Sequence, residues 1–279
     1  DGAGEIVEVG NKVKDWKIGD KVVIQPGKYC GNCRYCLNDN ENYCLTYSIL
    51  GENENGTQCE YIIIKPNNIY PMANHLTFEE AASMQLVYMT AYQMLVNRGM
   101  LKKNETVLIL GATSGVGSAS IQIAKEIGAT IVTTVGHKNK IEYAKKMGAD
   151  YVVLHNNEDW DKKIKRMLNN NKVQVIIEHI GLKTWNKSLR LLDHGGRLIT
   201  CGATTGSDIE MSLKHLFIKQ QSIMGSTMSN ANSFVNVQKL IHAKKVKPFV
   251  DRIFQLDDIS KAHTYLEKRN QHGKVVVNI

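Results

Sequence analysis

From Thr106 onward, six short apolar runs alternate with amphipathic stretches, and that alternation restricts the chain to a parallel sheet with helices on both faces. The runs are VLIL from Val107, TIVTTV from Thr130, YVVL from Tyr151, VQVIIE from Val173, RLITC from Arg197 and SIMG from Ser222. Between them, apolar residues recur at helical spacing: Val116, Ile123 and Ile127, then Ile141 and Ala144, then Trp160, Ile164 and Met167, then Trp185, Leu189 and Leu192. Such stripes are what packing against a sheet requires. Gly128 and Gly148 stand where two of the helices should stop.

The residues before this region read differently. Residues 1 to 72 consist of short strand-like runs and turns: EIVEV, a Gly19-Asp20 turn, KVVI, a cysteine-rich loop and EYIII, closed by Pro66 and Pro71. Thr77 and Glu80 form a capping-box pair, which predicts a helix running through Ala81, Met84 and Val87 to Met94. After Met228 come a helix around Phe234 to Ala243, a Pro248 segment, a further helix and a final GKVVVNI strand. The predicted organisation is a β-rich domain over 1–86, a doubly wound α/β domain over 87–228, and a segment over 229–279 that returns to the first domain.

Composition excludes several classes. With 43% apolar and 22% charged residues the chain is globular, and no apolar run nears the ~18 to 20 residues that span a bilayer. No membrane partner is expected. The net charge of +8 is spread without a long like-charged block, and no DNA- or RNA-binding motif appears, so a nucleic-acid partner is not expected either. The chain begins with Asp1 inside a strand-like pattern, which reads as a fragment or a processed start, and no signal peptide is visible. Six cysteines are too few for a disulfide scaffold, and four of them crowd between Cys30 and Cys44, as expected of a metal site in a reducing compartment such as the cytoplasm.

Those four, Cys30, Cys33, Cys36 and Cys44, are spaced C-x2-C-x2-C-x7-C. The spacing lets one loop present four thiolates to a tetrahedral ion with no position left for water, which defines a structural site and suits Zn. An iron-sulfur run would continue with x3 and Pro, whereas here x7 is followed by Leu45. Cys59 and Cys201 read as ordinary buried thiols.

After the first sheet strand comes VLILGATSGVGSASIQIAKEIGA, a strand, a turn of small residues and a helix. A dinucleotide pyrophosphate needs such a turn, because the backbone must approach closely and the helix start offers free N–H groups. Matched to G-x-G-x-x-G, the turn reads Ala112, Thr113, Ser114, Gly115, Val116 and Gly117, with only the last glycine literal. At the next strand end, where an NAD site places an acid on the ribose 2′-hydroxyl, stands Gly136, followed by His137, Lys138 and Lys140. His155 lies at the following strand end. An absent acid and present cations predict NADPH as cofactor in preference to NADH.

The cysteine loop followed by this turn resembles the medium-chain dehydrogenase/reductase superfamily, the zinc-type alcohol dehydrogenases and their quinone oxidoreductase relatives. The resemblance extends over essentially the whole chain and includes Gly19-Asp20-Lys21-Val22, Thr90-Ala91-Tyr92, Cys201-Gly202-Ala203, Gly225-Ser226-Thr227 and Gly273-Lys274-Val275-Val276. It implies a GroES-like catalytic domain beside a Rossmann domain, with Thr90, Gly202, Ala203, Gly225 and Ser226 near the nicotinamide and Lys274 near the pyrophosphate. It also implies a homodimer or homotetramer. By the same resemblance Asp1 falls at the glutamate of the family's Gly-His-Glu motif, so roughly sixty residues of a usual member would precede it and the catalytic domain is read as incomplete. Leu86 stands where zinc alcohol dehydrogenases place a cysteine ligand of catalytic Zn, and leucine cannot ligate.

The expected function is therefore NADPH-dependent hydride transfer to a small-molecule quinone, enone, enoyl or carbonyl substrate without catalytic Zn, with Thr90 and Tyr88 as candidates for hydrogen bonding at the reacting centre. A zinc-dependent alcohol dehydrogenase is the alternative within enzymes. A non-catalytic zinc lobe that binds nucleic acid is the alternative outside them.

Overall fold

The computed structural model describes all residues from Asp1 to Ile279, and the chain divides into two compact units, Asp1–Met89 with Met228–Ile279, and Thr90–Thr227. No helix is long and apolar enough to cross a membrane.

In the first unit, β1 (Ala3–Glu5) pairs antiparallel with β2 (Lys21–Ile24). The short strands β3 (Gly27–Lys28) and β4 (Ser48–Ile49) pair antiparallel, which closes the base of the cysteine loop. β5 (Ile69–Pro71) completes a three-stranded sheet in the order β1-β2-β5. The EYIII run is not a strand: no other strand pairs with it, and Tyr61 and Ile63 are exposed. β propensity alone cannot supply a ladder.

The helix predicted from Thr77 to Met94 forms in pieces. α1 (Phe78–Ala82) starts with the full capping box, Thr77 Oγ1 accepting from Glu80 N and Glu80 Oε2 from Thr77 N. It ends where the Ser83 hydroxyl donates to the Glu80 carbonyl, a local bond that competes with helix continuation. α2 (Gln85–Tyr92) then resumes and runs into a wide turn of π-helix over Gln93–Arg98.

The second unit is the predicted α/β sheet. β6 (Thr106–Ile109), α3 (Gly115–Ile127), β7 (Thr130–Val135), α4 (Ile141–Met147), β8 (Tyr151–Leu154), α5 (Trp160–Met167), β9 (Val173–Glu178), α6 (Trp185–Leu191), β10 (Leu192–Thr200), α7 (Leu213–Ile218) and β11 (Ser222–Gly225) follow in turn. Six parallel strands lie in the order β11-β10-β9-β6-β7-β8. The chain leaves β6 toward β7 and β8, then crosses to β9, so the order reverses between β6 and β9. Leu192 opens β10 instead of closing α6, with a register shift before Arg197. Gly128 and Gly148 end α3 and α4 at φ of 85° and 114°, a conformation that favours glycine. The core on one face gathers Leu108, Val132, Trp160, Ile164, Ile176 and Trp185.

The remaining chain returns to the first unit as α8 (Ala231–His242), β12 (Val250–Gln255), α9 (Ile259–Glu267) and β13 (Lys274–Asn278). β12, a strand the sequence pattern did not reveal, pairs parallel with β13.

Glu178, at the end of β9, is fully buried and accepts from Ile180 N, Gly181 N, Thr184 Oγ1 and Ser188 Oγ. It fixes the loop after β9 onto α6. Glu178→Ala leaves several buried donors unmet and should cost about 3 kcal/mol or more. Thermal denaturation should show this as a fall of roughly 6 to 12 °C. An unchanged midpoint would show that the loop is held by other contacts.

Candidate functional site

Because the six strands are parallel, their carboxyl ends share one edge, and most of the sequence-derived site residues follow directly from those ends. At the end of β6 the chain turns at Gly111, with φ of 70°. Ala112 N donates to the Thr134 carbonyl, and Thr113 is buried. Ser114 caps α3, its Oγ accepting from Gly117 N at 2.9 Å, while Gly115 and Val116 form the first residues of the helix. A Cβ on Gly117 would lie 2.2 Å from the Gly111 carbonyl oxygen, so no other residue fits. The tight-turn glycine is thus Gly111, one residue before the predicted match at Ala112, because the close backbone approach is between Gly111 and Gly117.

This turn sits at the reversal of strand order, where open α/β sheets bind ligands. The start of α3 carries free backbone N–H groups suited to an anion. Two residues that the motif search missed brace it. Thr134, buried in β7, accepts from Gly111 N through its hydroxyl at 3.1 Å, and that hydroxyl also meets His155 Nδ1 at 3.0 Å. His179, just after β9, places Nε2 3.1 Å from Ser114 Oγ. Both were hidden because their partners lie far along the chain; a polar residue ending an apolar strand was the available signal.

At the end of β7, a Cβ on Gly136 would meet His155 Nε2 at 3.5 Å, an ordinary contact. His137 and Lys138 are exposed, whereas Lys140 is buried in a single 3-10 turn over Lys138–Lys140. Burial, with His137 and Lys140 nearby as the next causes, pushes His155 below the usual histidine range. The segment that follows, His137 to Lys140, carries two lysines and no carboxylate.

Further along the same edge, Gly202 and Ala203 are exposed after β10, and Ser226 N donates to the Thr200 carbonyl after β11. Arg98 Nε donates to the Gly225 carbonyl. Two hydroxyls, Thr90 Oγ1 and Ser226 Oγ, are buried without a partner. Unmet buried hydroxyls in a native fold call for a partner, and at a ligand-binding edge a bound ligand can supply it. With the glycine approach at Gly117, they fit a dinucleotide.

Two of the expected residues are engaged within the first unit. Tyr88 is buried and donates its hydroxyl to the Lys247 carbonyl at 2.6 Å, as a packed aromatic does. Lys274 places Nζ 3.2 Å from Asp1 Oδ2. Asp1 Oδ1 accepts from Leu86 N, and the Leu86 side chain packs on an apolar cluster of Met89, Met228 and Phe234.

The cysteine loop folds as an independent lobe of the first unit. Gly31 at φ of 77° and Asp39 at 55° turn the chain back, and Cys33 N donates to Cys30 Sγ. The Sγ atoms of Cys30, Cys33, Cys36 and Cys44 all lie within 4.8 Å of one another, with pairs at 3.5, 3.6 and 3.8 Å. Four sulfurs each ~2.3 Å from a central Zn would be roughly 3.8 Å apart, so the donor set fits the metal. The Thr46 hydroxyl holds the Cys44 thiol down to about 6, while burial pushes Cys36 up to about 12. A divalent cation is what would let all four ionise together. The lobe is anchored by Glu41, whose Oε2 accepts from Ala231 N at the start of α8, and by Asn230 Nδ2, which donates to the Asp39 carbonyl.

With this geometry described, likeness to known proteins is informative. Residues 1–74 match the alcohol dehydrogenase GroES-like domain, and residues 115–243 match the zinc-binding dehydrogenase family. An NAD-dependent alcohol dehydrogenase of Saccharolobus solfataricus is 30% identical over 277 residues, covering 99% of this chain and 79% of that protein. A crotonyl-CoA reductase of Streptomyces avermitilis is 30% identical over 299 residues, covering 99% of this chain and 66% of that protein. The crystal structure of an NAD-dependent alcohol dehydrogenase superposes with a TM-score of 0.97 at 36% identity, covering all of this chain and 81% of the other. The chain belongs to the medium-chain dehydrogenase/reductase superfamily, a family of NAD(P)-dependent oxidoreductases.

Proposed function

We propose that the protein is an NADPH-dependent reductase that passes hydride to a small-molecule carbon acceptor conjugated to its own carbonyl, a quinone, enone or enoyl thioester, and that it uses Zn only in the cysteine lobe. The observation that carries the reading is the Gly111–Gly117 turn, with room for backbone only, at the reversal point of the sheet. The dinucleotide supplies the hydride. The chain's part is to hold the pyrophosphate at the start of α3, to place the nicotinamide against Thr90 and Ser226, whose buried hydroxyls await partners, and to donate hydrogen bonds where oxyanion charge develops.

Preference for the 2′-phosphate rests on Gly136 and its neighbours. Thr134 Oγ1 accepts from Gly111 N–H and stands 3.0 Å from His155 Nδ1, which holds the ring with Nε2 on the side of Gly136. With the Lys138 ammonium and the exposed His137 ring, that gathers one cation and two imidazoles at this strand end. Without an acid, nothing at this strand end receives the 2′-hydroxyl of NADH through a carboxylate.

Absence of a catalytic Zn rests on Leu86, an apolar side chain packed in an apolar cluster at the family's ligand position. An unactivated alcohol gains little without a Lewis acid, whereas a conjugated acceptor takes hydride with hydrogen bonds alone. Likeness to the crotonyl-CoA reductase, named for an enoyl substrate, supports this choice. Likeness to NAD-dependent alcohol dehydrogenases favours a second reading, zinc-dependent alcohol oxidation. Cytoplasmic location and a homodimer or homotetramer remain part of the proposal through the reduced thiols and the family resemblance.

The deciding experiment assays purified protein with crotonyl-CoA-type enoyl thioesters, quinones and simple alcohols, before and after dialysis against chelator. Reduction of a conjugated acceptor that survives chelation is expected; chelator-sensitive alcohol oxidation with two Zn per chain would establish the second reading instead. Elemental analysis should give one Zn per chain, and Cys44→Ser should release it while leaving cofactor affinity within about twofold. Iron in its place would overturn the lobe's assignment. Titration should show NADPH binding about ten- to a hundredfold tighter than NADH, the scale of one or two charge-assisted bonds. Gly136→Asp, which the contact distance allows, should reverse that order. Equal affinities in the unsubstituted protein would reject the 2′-phosphate site.

A further inference from the structure

We propose that His179 donates its Nδ1–H to an oxygen of the pyrophosphate and ribose stretch of the bound dinucleotide, an inference that rests on the reading of Gly111–Gly117 as the pyrophosphate turn. His179 follows β9 at the reversal of strand order, the strand end next to the turn that leaves β6. Its side chain lies between two glycines. A Cβ on Gly111 would come within 3.1 Å of His179 Nε2, and one on Gly202 within 3.7 Å of His179 Cβ. The missing side chains at Gly111 and Gly202 are what let the His179 side chain pack against the turn.

Two proton arrangements are open to the ring. Burial, with His155 second, pushes the imidazole down to about 4, so at neutral pH the ring holds one proton. Ser114 Oγ accepts from Gly117 N–H and stands 3.1 Å from Nε2, a pair in which either atom can donate. With the proton on Nε2, the serine oxygen would accept twice, the serine proton would need another acceptor and Nδ1 would be a bare buried acceptor. With Nε2 accepting the serine proton, the group left over is the Nδ1–H, and it is this second arrangement that is proposed. The structure gives Nδ1 as buried with no partner. An unmet buried N–H is costly, and a native fold tolerates one where a ligand completes it. A phosphate or ribose oxygen is the acceptor of matching chemistry at this edge, because the turn bonded to His179 through Ser114 is the anion site itself.

His179 thereby has two separable jobs. Through Nε2 it orients Ser114, the cap of α3, and through Nδ1 it meets the cofactor. Asn places its amide as many bonds from Cα as Nδ1, and Gln places its amide as far out as Nε2. The experiment measures NADPH affinity by cofactor fluorescence for the unsubstituted protein, His179→Asn and His179→Gln, together with nitrogen-15 spectra of the His179 ring with and without NADPH.

His179→Gln should weaken NADPH about five- to tenfold, the worth of one lost hydrogen bond, while His179→Asn stays within about twofold. The spectra should show Nδ1 protonated and Nε2 bare in the free protein, with the Nδ1 signal shifting on cofactor addition. The reverse order of the two variants would mean that the Ser114 bond is the whole role of His179 and would overturn the proposal. A free protein protonated on Nε2 would overturn it without any variant. Failure of the unsubstituted protein to bind either nicotinamide dinucleotide would instead remove the functional reading on which the proposal stands.

Discussion

The nucleotide-binding edge depends on one close approach, the backbone of Gly117 against the carbonyl of Gly111. With no room for even a methyl group between them, α3 is drawn tight against the turn that leaves β6. That contact sets where the helix begins and hence where its free N–H groups point. Ser114 can cap the helix only because Gly117 N comes within 2.9 Å of its hydroxyl. Thr134 can reach Gly111 N only because the turn stays over the end of β7. Each of these bonds presupposes the glycine contact, and none could create it.

The cysteine lobe is built on the opposite logic. Its geometry is local, with a short β3–β4 ladder at the base, left-handed turns at Gly31 and Asp39, and four sulfurs within 4.8 Å of one another. No apolar core is gathered inside it: Leu37 and Leu45 are exposed. A segment so short of buried apolar surface needs another source of order, and a four-thiolate metal site is a sufficient one. Its link to the rest of the first unit is a carboxylate, Glu41, set against the free N–H groups at the start of α8.

These two designs explain what could be read from the sequence. The sulfur spacing was legible because all four ligands lie within fifteen consecutive residues, and the six strands of the large sheet because each is apolar enough to be buried on both faces. Glu60 to Ile64 looked like a strand but has no partner, a fact that only tertiary structure reveals. β12 was missed for the converse reason: Arg252 and Gln255 dilute its pattern, and its pairing with β13 makes the strand. In the site, the residue types at Gly136 and Gly117 carried their meaning in place. Thr134 and His179 did not, since each acts through a partner 23 or 65 residues away. The partners of Tyr88 and Lys274, Lys247 and Asp1, also lie far along the chain and were hidden for the same reason.

A common construction joins the two ends of the nucleotide site. At the turn, Ser114 Oγ accepts a backbone N–H from Gly117 and stands 3.1 Å from His179 Nε2. At the next strand end, Thr134 Oγ1 accepts a backbone N–H from Gly111 and stands 3.0 Å from His155 Nδ1. In each case one hydroxyl ties a backbone N–H of the glycine-rich turn to an imidazole at a neighbouring strand end, so the turn and the two rings are positioned together. Burial pushes both histidines below their ordinary range. A turn braced in this way gains polar support from two strands without a fixed charge being placed beside the start of α3.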